Sequence, residues 1–221
     1  MLVKYNGESI DINIPDNVIE IGNSCFKHTK IKSIIIPDNV KVIGQNAFSE
    51  CDELMNIIIP DSVKSIGENA FSKCYNLKSI TIPKGCIVNS YAFSYCGNLE
   101  TVYINDNAIV KKIAFCKTKL STVFIGKNIK FEYNCFLDNN ITSVKNLETG
   151  KYFDYKSLYY LIKVDEDGVK SLEGFASTPF GSELLSCYAK EHNLCQHCGR
   201  RFGGLLRRKC IFCGREKDYT N

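Results

Sequence analysis

The chain has 221 residues, is 44% hydrophobic and carries a formal net charge of +4. That is enough apolar material for a sizeable core, which excludes an intrinsically disordered chain and leaves room for one elongated domain with a small one attached. No run of 18 apolar residues could span a membrane, and the opening MLVKYNGESI has neither an apolar h-region nor a cleavage site, so a soluble, cytoplasmic protein is expected.

The charge is unevenly placed. Residues 195–221 hold seven Lys/Arg and two acids, a net +5, whereas residues 1–194 balance at −1.

In chain order, LVKY, Asn6-Gly7 and ESIDINI read as a type I′ hairpin that caps the N-terminal end of a repeat array. A string then recurs about every 22 residues, six times: SIDINIPDNVIEIGNSCFKHT (9–29), IKSIIIPDNVKVIGQNAFSEC (31–51), LMNIIIPDSVKSIGENAFSKC (54–74), LKSITIPKGCIVNSYAFSYC (77–96), LETVYINDNAIVKKIAFCKT (99–118) and LSTVFIGKNIKFEYNCFLDN (120–139). A seventh begins at Ile141 and breaks off. One unit cannot bury its apolar residues alone, so neighbours must stack around a continuous core.

In each unit L-x-x-I-x-I-P predicts a short strand of period 2. Ile34 and Ile36, Ile57 and Ile59, Ile80 and Ile82, Val102 and Ile104, and Val123 and Ile125 are expected to point inward. Pro37, Pro60 and Pro83 then end their strands, because proline has no N–H for the ladder. The second half, V-x-x-I-G-x-x-A-F, returns on the opposite side. It places Phe48, Phe71, Phe93, Phe115 and Phe136 in a stacked aromatic spine, and Gly22, Gly44 and Gly67 are expected to supply a backbone shape that a side chain would forbid. The last three strings have lost the Ile-Gly pair, and a change of curvature is expected near residue 86.

These strings, IIIPDNVKVIGQNAFSEC and IIIPDSVKSIGENAFSKC above all, resemble the BspA-type (Treponema pallidum-type) leucine-rich repeat over roughly residues 9–146. The resemblance implies a right-handed β-rich horseshoe with a parallel sheet on its concave face, and protein or ligand binding, often in adhesion, rather than catalysis.

Cysteine is abundant, twelve in all. Cys51, Cys74 and Cys96 follow their repeat phenylalanines by three residues, and Cys25 and Cys135 occupy a slot that is Ala47, Ala70, Ala92 and Ala114 elsewhere. A thiol interchangeable with alanine behaves as a small buried apolar group, so these are expected to be reduced core residues; cross-repeat disulfides in an exported protein are the alternative.

With Ile34 and Ile36 inward, the residues between them face out. That column is Ile35, Ile58, Thr81, Tyr103 and Phe124, flanked by Ser33, Asn56, Ser79, Thr101 and Thr122. An apolar and aromatic strip bordered by small hydroxyl residues suits protein docking; the competing reading is that β-branched and aromatic residues simply favour strands. Exposure of Tyr103 and Phe124 discriminates the two.

Beyond the repeats, residues 157–175 read as a second capping hairpin, with Tyr159, Tyr160, Leu161 and Phe175, and the cluster Tyr152, Phe153 and Tyr155, available to cover the last coil. Thr178-Pro179 reads as a helix start leading into a helix of about 182–193. Cys195, Cys198, Cys210 and Cys213 then form two C-x2-C pairs, each followed by glycine. Four thiolates satisfy one tetrahedral Zn²⁺ with no open position, a structural site that resembles a zinc ribbon and would supply the folding free energy of so short a segment. Arg200, Arg201, Arg207, Arg208 and Lys209, with Phe202 and Phe212 among them, could hold nucleic-acid phosphates and stack bases, dock an acidic protein, or merely solvate the module.

The expected architecture is therefore a β-rich leucine-rich-repeat solenoid with hairpin cap (1–146), a second cap and linking helix (147–194) and a small four-cysteine zinc ribbon (195–221). No nucleophile–base motif, phosphate loop or open metal site is present, so a non-enzymatic protein-binding module without a small-molecule substrate or membrane association is expected. The alternatives are a nucleic-acid-associated adaptor and, more remotely, a surface adhesin.

Overall fold

The structure is a computed structural model describing residues 12–153, 158, 161, 163–165, 168–171, 173–175 and 177–192. The expected N-terminal hairpin, Tyr155, Tyr159, Tyr160 and the whole four-cysteine module with its basic residues lie outside the described residues.

The repeats form a parallel β-solenoid of about six turns. Each coil contributes one strand to each of two parallel ladders. The first ladder holds β2 (Ser33–Ile35), β4 (Asn56–Ile58), β6 (Ser79–Ile82), β8 (Thr101–Ile104), β10 (Thr122–Ile125) and β12 (Ser143–Asn146). The second holds β1 (Glu20–Ile21), β3 (Val42–Ile43), β5 (Ser65–Ile66), β7 (Ile87–Val88), β9 (Ile109–Val110) and β11 (Lys130–Phe131) and is unbroken, running through residue 86. The first ladder divides instead between β4 and β6. Pairing is in register, so Thr81 lies beside Tyr103 and Tyr103 beside Phe124.

The alternation within the first ladder follows the period-2 pattern. Ile34, Ile36, Ile59, Ile80, Ile82, Val102, Ile104, Val123 and Ile125 are buried in one continuous core. Ile57 departs from the expectation: it packs against that core but is only half-buried, because it stands on β4 at the break in the ladder.

The phenylalanine spine is one ring longer than expected. Phe26, Phe48, Phe71, Phe93, Phe115 and Phe136 are all buried, with successive centroids 5.0–5.6 Å apart and planes within 20° of parallel. Around each ring the backbone turns tightly. Two residues four apart in every coil have φ of 55–62°: Ser24 and His28, Asn46 and Glu50, Asn69 and Lys73, Tyr91 and Tyr95, Ile113 and Lys117, Asn134 and Asp138. Left-handed backbone costs a residue with a Cβ free energy. It persists here because alternate amides are held from two directions: Ala47 N donates within its own turn to Gly44 O (3.3 Å), while Phe48 N donates to Ala70 O of the next coil (2.7 Å).

Gly44 and Gly67 serve closeness rather than the unusual backbone shape expected of them. A Cβ on Gly67 would lie 2.6 Å from Gln45 N and from Gly44 C, and one on Gly44 2.6 Å from Asn23 Oδ1. The coils are stacked too tightly there for any side chain.

All eight described cysteines are thiols, and Cys25, Cys51, Cys74, Cys96 and Cys135 are buried as expected. Three of them also do something that a space-filling reading omits. Cys51, Cys74 and Cys96 donate from Sγ to the carbonyls of Phe26, Phe48 and Phe71 in the preceding coil, at 3.0, 3.1 and 3.1 Å. In the last coil Asn139 takes the same slot and its Nδ2 donates to Phe115 O at 2.6 Å. Burial raises these thiols' pKa, that of Cys96 to about 12, so they remain protonated donors at neutral pH.

Past the last coil, Phe175 lies 4.8 Å from the Phe136 ring and edge-on to Phe131, and Phe180 lies edge-on to Phe175. Leu158, Leu161 and Leu184 join the same core. β13 (Lys163–Asp165) and β14 (Gly168–Ser171) pair antiparallel within the hairpin expected over 157–175. Helix α1 spans Pro179–Glu191, starting three residues earlier and ending two earlier than expected. The reason is local: Thr178 Oγ1 accepts from Gly181 N at 3.1 Å and Pro179 opens the first turn, so the cap itself sets the start.

Candidate protein-binding face

The outward column of the first ladder is solvent-facing. Ile35 is 68% exposed and Ile58 61%, Thr81 is exposed, and Tyr103 and Phe124 are half-buried. Exposure of large apolar groups on β2 and β4 exceeds what strand propensity requires, since a hydroxyl residue would serve the strand equally well.

Tyr103 and Phe124 stack across β8 and β10 with centroids 4.7 Å apart and planes 19° from parallel. In-register parallel pairing makes this possible: it sets neighbouring side chains of one face about one strand spacing apart, roughly 4.8 Å. The flanking column is polar and mostly small: Ser33, Asn56 and Ser79 are exposed, and Thr101 and Thr122 half-buried.

Two residues beyond the five expected in the column extend it. Lys145 follows Phe124 in register on β12, with Nζ 5.5 Å from the Phe124 centroid. The chain then turns at residues 146–151 and brings Tyr152 back antiparallel to Lys145, with Nζ 4.9 Å from the Tyr152 ring. The sequence signal for the extension is the truncated seventh repeat ITSVKN, whose fifth residue is this lysine. Tyr152, 68% exposed, thus borders the face rather than covering the core as expected, and Phe153 is the residue of that cluster packed against the core.

The remaining predicted site residues, Cys195, Cys198, Cys210 and Cys213 with Arg200, Arg201, Arg207, Arg208 and Lys209, lie outside the described residues. No group of His, Cys, Asp or Glu among the described residues could hold a metal ion, and no described helix is long and apolar enough to cross a membrane.

Two stacked ladders, an inward Leu/Ile/Val lattice and a phenylalanine spine define a leucine-rich-repeat solenoid. The chain belongs to the BspA type leucine rich repeat region family, which matches residues 5–120 in six copies. Among solved structures it is similar to the leucine rich repeat protein of T. pallidum, at 26% identity and a TM-score of 0.52, over 56% of this chain and 62% of that one. A leucine-rich repeat protein from Bacteroides capillosus is 36% identical over 39% of this chain and 63% of that one, with a TM-score of 0.36. A leucine rich cell surface protein of Faecalibacterium prausnitzii is 24% identical over 64% and 34%, with a TM-score of 0.43. The chain thus spans less than two thirds of the length of these proteins. No curated protein matches it at comparable significance. Repeat proteins of this kind commonly bind other proteins or act at surfaces.

Proposed function

We propose that the chain is a non-enzymatic protein-binding module that engages its partner through Ile35, Ile58, Thr81, Tyr103 and Phe124. The observation that carries the reading is the exposure of Ile35 and Ile58 beside a flanking column of hydroxyl and amide side chains. Apolar area left in water on a rigid sheet gains free energy when a partner covers it, about 25 cal/mol per Å². The face is also preorganised: both ladders hold the backbone, so little conformational entropy is lost on docking. The test is a quantitative pull-down from the native cell with Ile58→Asp and with the double variant Tyr103→Ala, Phe124→Ala. Loss of the same partner from both is expected, and an unchanged partner set would overturn the reading. Cytoplasmic rather than surface action goes with this proposal.

In this reading Cys195, Cys198, Cys210 and Cys213 hold one structural Zn²⁺, the donor set and spacing being those of a closed tetrahedral site. One zinc per chain by elemental analysis, lost in Cys195→Ser together with Cys213→Ser, is the expected outcome. The ribbon stabilises or supplements the contact. The net +5 of residues 195–221 favours a second role as a nucleic-acid adaptor through Arg200, Arg201, Arg207, Arg208 and Lys209, which predicts binding that weakens steeply with salt.

A further inference from the structure

The geometry points to a particular chemistry for the partner: an extended, apolar protein segment with a carboxylate at one end, received by Lys145. This deepens the docking face proposed above and rests on it.

Lys145 is the only charged residue of the outward column, which otherwise runs Ile35, Ile58, Thr81, Tyr103, Phe124. It is half-buried, and among the described residues its ammonium makes no ion pair. Its contacts are instead the rings of Phe124 and Tyr152, 5.5 and 4.9 Å from Nζ. Ring faces hold an ammonium in place without neutralising it. Other solenoid lysines divide between the two arrangements: Lys111 meets Glu132 at 2.7 Å and Lys27 and Lys73 share Glu50, whereas Lys117 lies over the Tyr95 ring at 5.2 Å. What sets Lys145 apart is its place: a cation held by two rings, without an ion pair among the described residues, at the end of a neutral and largely apolar strip.

Length agrees with an extended occupant. Ile35 to Lys145 crosses five strand spacings, roughly 24 Å at about 4.8 Å each, which an extended chain rising about 3.3 Å per residue covers in about seven residues. The end of the strip is also closed. Tyr152 returns antiparallel beside β12, so the occupant's last group stops at the lysine rather than continuing along the free strand edge. A carboxylate there would form a charge-assisted hydrogen bond in partly desolvated surroundings, where it is worth more than at an open surface.

The experiment selects random dodecapeptides displayed on phage against the full chain and measures the winners by fluorescence anisotropy. The expected result is an apolar run ending in Asp, Glu or the free C-terminus. Affinity should fall roughly tenfold or more in Lys145→Gln. Amidating the peptide's carboxylate should cost as much against the native chain and nothing further against Lys145→Gln. In Lys145→Glu, whose melting temperature should match the native chain's, the preference should reverse toward a basic end group. Peptides that lose affinity with Ile58→Asp yet show no acidic preference, or ignore Lys145→Gln, overturn the anchor and leave the face standing. Peptides indifferent to Ile58→Asp, or no binders at all, overturn both.

Discussion

Cys74 sits three residues past its phenylalanine, buried, where the pattern in the chain suggests no more than a reduced core residue. Its Sγ, however, donates to Phe48 O across the coil boundary, and Cys51 and Cys96 repeat the contact one coil away on either side. Phe48 O also accepts from Cys51 N of its own coil at 3.3 Å, so the thiol supplies that carbonyl's second, cross-coil hydrogen bond, and such a bond contributes about 0.5–1.5 kcal/mol net. Cys74→Ala is therefore expected to destabilise by about that amount, and Cys74→Ser, which keeps a donor, by less; urea-unfolding midpoints measure both. Equal losses would return the thiol to the status of filler. The appearance of Asn139 in the same slot was legible in the sequence, but the carbonyl that both residues serve belongs to another coil and comes into reach only when the coils stack.

The turn around each phenylalanine is the least regular part of the coil and the most constrained. Asn46 has φ of 55°, and its counterparts are Ser24, Asn69, Tyr91, Ile113 and Asn134. Asparagine tolerates the left-handed region better than most residues, and glycine has no Cβ to clash. Asn46→Ala should thus lower stability by about 1–2 kcal/mol while Asn46→Gly stays close to native, as thermal melts would register. The recurrence of Asn at this slot hints at the conformation, yet Ile113 occupies it too, where propensity argues against it. Interlocking hydrogen bonds from neighbouring coils override the local preference. Helix α1 shows the opposite balance: Thr178 and Pro179 announced its first turn in the chain, and the structure followed them.

Along the whole stack each coil contacts only its neighbours, so stability is a sum of coil and interface terms and the ends are the weak points. Phe175 and Phe180 close the C-terminal end against Phe131 and Phe136. Removing that aromatic contact with Phe175→Ala is expected to cost about 3–5 kcal/mol. Hydrogen exchange should then quicken first in β11 and β12 and least in β3 and β5; uniform quickening would show that the array unfolds as one unit instead. The same end carries Lys145 and Tyr152, so a frayed final coil would also disturb the proposed carboxylate anchor.

Period, inward lattice, spine and outward column could all be read from the chain, because a repeat writes the same local solution six times and side-chain alternation assigns the faces. The C-x2-C pairs likewise announce their chemistry by spacing. Stacking alone revealed what depends on a second coil: the carbonyl each thiol meets, the absence of room at Gly44 and Gly67, the break beside Ile57, and the lysine held between two rings. Each is a relation between residues about 22 apart or across a turn, created when separate coils come within hydrogen-bonding distance, and no single copy of the repeat contains it.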